Sequence, residues 1–151
     1  MGASRSDGER KARPDPSLPE AALPDSTHGK EYAEAIRDAT RTLVRLDGLY
    51  GGRDVFPLAL RVFRAAHRRL GSGTYPPAVE RDLVAAAGEA GEVAAWLAYD
   101  ADRQAASRQL IHEALLLSRH AGDRDMELFE LTHLAMQSVH LRRPPEALRV
   151  A

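Results

Sequence analysis

Cysteine is absent from these 151 residues, which excludes disulfides, thiol nucleophiles and thiolate metal sites. Aromatic residues make up only 5% of the chain, and the apolar content is mostly alanine and leucine. That mixture suits closely approaching helices and suits strands badly. No charge sign dominates: the formal net charge is −1 at pH 7, so no global field steers the chain toward nucleic acid or an anionic membrane. No run of about 18 apolar residues occurs, the length a membrane-crossing helix needs. The first twenty residues hold no apolar run of the kind a signal peptide carries. With the missing cysteines, this fits a cytoplasmic protein.

What is present is an echo. Ala95, Ala98 and Ser107 recur 40 residues later as Ala135, Ser138 and Ala147. Apolar positions follow the same shift: Trp96 with Met136, Tyr99 with Val139, Leu110 with Val150. Self-similarity at this spacing marks a helical-repeat array, in which each helix pair buries its face against the next. The expected fold is all-α: antiparallel helix pairs in a fragment of an α-solenoid.

Residues 1–29 read as a disordered tail or linker, because four of the nine prolines fall here (Pro14, Pro16, Pro19, Pro24) among polar residues. Residues 30–151 form the helical-repeat domain. Tyr32, Ile36, Ala39, Leu43 and Leu46 make the stripe of a first helix, stopped by Gly51 and Gly52. Asp54 is the expected N-cap of a second, with Pro57 in its first turn. Pro76 and Pro77 open a long third helix with Gly88 and Gly91 inside it, each bending it or admitting a neighbour. A fourth helix ends at Gly122, placed to take the left-handed conformation that closes a helix. Asp123 or Asp125 caps a fifth, and Pro144-Pro145-Glu146 begins a sixth.

The pieces LDGLYGG, PLALR, YPPAVERDL, WLAYDADR, EALLLSRHAGDR and AMQSVHLRRPPEAL together resemble the tetratricopeptide-like C-terminal region of actinobacterial XRE-type (lambda-repressor-like) transcriptional regulators. The resemblance spans about Lys30 to Ala151. It implies a regulatory module that binds a protein, peptide or small effector, lacking the helix-turn-helix head of that family. The repeats are imperfect. Their spacing exceeds the usual value of about 34, and Asp102 and Arg142 stand where a turn glycine is usual.

Several clusters invite chemistry. Arg37, Arg41 and Arg45, and Arg61, Arg64 and Arg68, form stripes that could grip phosphates. The plainer expectation is a solvated face with Glu34–Arg37 and Asp38–Arg41 pairs. The first two helices do not form a helix-turn-helix, because the second opens on Val55, Phe56, Pro57 and Leu58, which would bury rather than read bases. No direct nucleic-acid binding is expected. His28, His67, His112, His120, His133 and His140 lack metal-ligand spacing, so neither metal nor cofactor is expected. Glu89 and Glu92, with Asp100 and Asp102, could pose as paired carboxylates, but the expectation is solvated charge, and no catalytic role follows. Trp96, Tyr99, Met126, Phe129 and Met136 are core candidates. Tyr99, Phe129, His133 and Met136 are the choice for a ligand or partner groove. Leu141, Leu148 and Val150 leave an apolar end, so either a second copy covers it as a homodimer or the chain is a fragment.

Overall fold

In the computed structural model, which describes residues 29–141 and Arg149, the chain is all-α, with no strand among the described residues. Among the described residues five helices follow one another: α1 (Gly29–Tyr50), α2 (Gly52–Ser72), α3 (Pro77–Asp100), α4 (Gln104–Ala121) and α5 (Arg124–His140). The proline-rich tail, the sixth helix, Leu148 and Val150 lie outside the described residues.

Contacts between named residues fix the relative directions. Tyr32 near the start of α1 reaches the carbonyl of Ala65 late in α2. Ser107 at the start of α4 donates to the carbonyl of Ala95 late in α3 at 2.8 Å. Both pairs run antiparallel, as does α5 on α4, where Gln137 meets Gln104 and Glu130 meets Ser118. Alternate helices run parallel: Arg37 of α1 bridges Asp82 and Glu89 of α3, and Glu92 of α3 meets His133 of α5. The molecule therefore has one layer of α1, α3 and α5 and a second of α2 and α4. Helix α3 is the hub, packed on α1, α2 and α4 and touching α5.

The apolar stripes face inward. Ile36, Leu43, Val62, Phe63, Leu83, Leu97 and Ile111 are all but completely buried. Ala95, Ala98 and Ser107 have no exposed surface, so the small residues sit where α3 and α4 cross. Gly88 and Gly91 admit neighbours. A Cβ on Gly88 would lie 2.8 Å from Ser118 Oγ, and one on Gly91 would lie 2.8 Å from the Phe63 ring. Side chains at either position would push α4 or α2 away. The echo is partial, because Ser138 is fully buried like Ala98 while Ala135, the counterpart of Ala95, is only half-buried.

Helix ends explain the connections. Asp54 does not cap α2, since Gly51 at φ 83° turns the chain within one residue and α2 starts at Gly52. Pro57 therefore falls in the second turn of α2, leaving the Arg53 carbonyl without its helical donor at an exposed position. Helices α3 and α4 close with the same motif. Asp102 N–H donates to the Tyr99 carbonyl and Arg103 N–H to that of Ala98; Gly122 and Asp123 repeat this with Arg119 and Ser118. The left-handed residue is Gly122 in one case and Asp102, at φ 57°, in the other. Asp123 Oδ1 then accepts from Met126 N–H and caps α5.

Candidate functional site

A groove of about 230 Å³ opens in the α1–α3–α5 layer, lined by Val44 and Asp47 of α1, Glu92, Val93, Trp96 and Leu97 of α3, and Phe129 of α5. The floor comes from one face of α3, where residues 93, 96 and 97 fall together at helical spacing. Val44 is 55% exposed, Trp96 39% and Phe129 57%, so three large apolar side chains face solvent around one depression.

Behind Trp96 lies an aromatic stack. Its ring stacks on Tyr99 at 5.9 Å between centroids and meets the edge of His133 at 5.3 Å. Tyr99 in turn meets His133 and His140. Such pairs hold ring orientation, at about 0.5–1.5 kcal/mol each, so Trp96 enters the groove wall in a fixed pose.

Beneath the groove runs a line of buried polar groups that the helical pattern does not announce. His133 is 4% exposed, and its Nδ1 is hydrogen-bonded with Glu92 Oε1 at 3.2 Å. His133 Nε2 is buried with no partner. Glu92, expected in solvent, is buried because α5 covers that side of α3. One turn away on α5, Glu130 is fully buried and accepts from Ser118 Oγ at 2.8 Å. Burial pushes its carboxyl up to about 8; the Ser118 hydrogen bond opposes the rise, and the charges of Glu92, Asp123 and Glu127 add to it. Gln137 donates to the Gln104 carbonyl and to its Oε1. At the far end of α3, partial burial and then the Asp47 charge raise the Asp100 carboxyl above its ordinary range, with His133 opposing.

Of the four residues chosen for a groove, Phe129 lines this one. Tyr99 is half-buried behind Trp96, His133 lies beneath, and Met136 is 39% exposed farther along α5. Val44 and Asp47 are not singled out by the sequence pattern, and Glu92, a candidate carboxylate expected in solvent, lines the groove instead. Their common signal is a shared height along the parallel helices α1 and α3, visible only once those helices are paired. Leu141 is half-buried at the end of α5.

The arginine stripes are not simply solvated. Arg37 does not pair with Glu34; it donates to Asp82 at 2.8 Å and to Glu89 at 3.3 Å, joining α1 to α3. Glu89 is thereby half-buried and paired. Arg41 pairs with Asp38 as expected. Arg64 grips Glu113 of α4 with both terminal nitrogens. Among the described residues, no group of three or more histidine and acidic side chains is gathered to hold a metal ion.

Compared with known proteins, the chain matches no family model, no curated protein and no solved structure.

Proposed function

We propose that this chain is a binding module of the transcription-regulator type, which receives an effector in the α1–α3–α5 groove and performs no catalysis. The observation that carries the reading is the exposure of Val44, Trp96 and Phe129 around one depression. Large apolar side chains gathered at a concavity are the usual lining of a recognition site. Two features support it. The inner helices of a repeat array line its binding surface, and α1, α3 and α5 form one such parallel layer. Below the groove, His133 is held on Glu92 and its other nitrogen is buried.

Trp96 is the sole tryptophan, so its emission reports the groove directly. Titration with the neutral apolar dye N-phenyl-1-naphthylamine should quench Trp96 by energy transfer in a saturable, one-to-one manner. Phe129→Asp should abolish it. Quenching that never saturates, or that persists in the variant, contradicts the reading.

A second reading is self-association, as an adaptor without an effector. It draws on Val139, 63% exposed near the end of α5 and close in sequence to Leu141. Sedimentation at twice the monomer mass, reversed by Val139→Asp, would support it.

A further inference from the structure

The groove has a charge sign as well as an apolar lining. Two of its lining residues, Asp47 and Glu92, are acids. No lysine or arginine lines it. Asp100 stands close enough to Asp47 for their charges to interact, so the acidic field extends beyond the lining. Arg37, a cation on the same helix as Asp47, is already committed to Asp82 and Glu89. The groove thus presents an aromatic ring, aliphatic walls and the Asp47 side chain together, while Glu92 is held by His133.

Size narrows the occupant. At about 230 Å³ the groove falls below the range of roughly 300–1,000 Å³ typical of sites for drug-sized ligands. One long side chain fills such a space. Among side chains, arginine alone combines an apolar stem, a planar face that stacks on tryptophan, and a forked donor that matches a carboxylate. Arginine is also among the residues that anchor protein interfaces in pockets of this kind.

We propose that the groove receives an arginine side chain of a partner polypeptide, its stem against Phe129 and Val44, its guanidinium stacked on Trp96 and paired with Asp47. The assignment rests on the binding-module reading and adds the chemistry of the occupant. Lysine fits less well, because its compact ammonium keeps its hydration and cannot stack. Binding weakens with salt, since Asp47 is partly solvated.

The test compares peptides of one frame, acetyl-Ala-Leu-X-Leu-Ala-amide, with X as arginine, lysine, citrulline or glutamate. Each is titrated into the full chain while Trp96 emission and displacement of N-phenyl-1-naphthylamine are followed. The arginine peptide should displace the dye about tenfold more tightly than the citrulline peptide, its neutral isostere, and the glutamate peptide should fail. Asp47→Asn, checked for folding by its thermal melt, should bring arginine and citrulline to within about twofold. Equal binding of arginine and citrulline peptides to the unaltered chain overturns the charge assignment while dye binding still upholds the groove. Loss of both dye and peptide binding overturns the groove itself. Free ethylguanidinium competing as well as the peptide overturns the polypeptide as its source.

Discussion

Ser118 Oγ donates to Glu130 Oε1 at 2.8 Å across the α4–α5 contact, and Glu130 Oε2 is buried with no partner. One hydrogen bond does not repay the desolvation of a charged carboxylate, so the group holds its proton to about pH 8. A carboxyl whose folded value lies above its unfolded value near 4.5 makes the folded state bind the extra proton in between. Stability is then greatest below about 4.5, falls as pH rises toward 8, and levels beyond it.

Glu130→Gln removes that slope. The variant should be more stable than the parent at pH 8, with the difference shrinking toward pH 5 by roughly 2–4 kcal/mol. Denaturant melts at the two pH values measure it. Glu92, Asp123 and Glu127 face the same carboxyl. Glu127 shifts in the opposite direction, held down chiefly by its hydrogen bond from Arg119, so its effect falls at more acid pH. Parallel pH curves for variant and parent would show that Glu130 ionises normally.

Ala98→Leu places a large side chain at the buried α3–α4 crossing, where Ala98 has no exposed surface. The expected loss is about 1–3 kcal/mol. A melting curve superposing on that of the parent would mean that the crossing is looser than its burial indicates.

Asp102 holds φ 57° in a turn that Gly122 makes without strain. Asp102→Gly should relieve the backbone, and the relief is partly offset by the freedom glycine gains in the unfolded chain. A net gain of about 0.5 kcal/mol is expected. Loss of stability would show that the contact from Gln104 to Asp102 Oδ1 at 3.4 Å outweighs the backbone strain.

Arg61, Arg64 and Arg68 do not make a nucleic-acid surface on this account. Arg64 is bound to Glu113, and the balanced net charge supplies no long-range attraction. Arbitrary duplex DNA should show no submicromolar binding in a salt series. Tight binding that falls steeply with salt and is lost on replacing the three arginines would reverse this.

The helices were legible because Ile36, Leu43, Val62 and Leu97 recur at a period that helices alone satisfy. Gly122 and Asp123 announced their ends through turn chemistry. Helix α5 was harder. Its apolar residues run round the helix, so sequence could not say that Leu128 and Phe129 face solvent while Glu130, His133 and Gln137 turn inward. That choice is made by α3 and α4, whose Glu92, Ser118 and Gln104 provide the polar partners. Arg37 finds its partners by the same tertiary logic. Glu34 is near in sequence, but Asp82 and Glu89 come within reach once α1 and α3 lie parallel.

The central claim is that the α1–α3–α5 layer is the recognition surface. Its most direct test is a side-chain methyl and aromatic NMR titration of the chain with acetyl-Ala-Leu-Arg-Leu-Ala-amide. The account predicts saturable shifts concentrated at Val44, Val93, Trp96, Leu97 and Phe129, with Val62 and Ile111 undisturbed. Shifts centred on α2 and α4, or on Leu116 at the surface of α4, would place recognition on the other layer and contradict it.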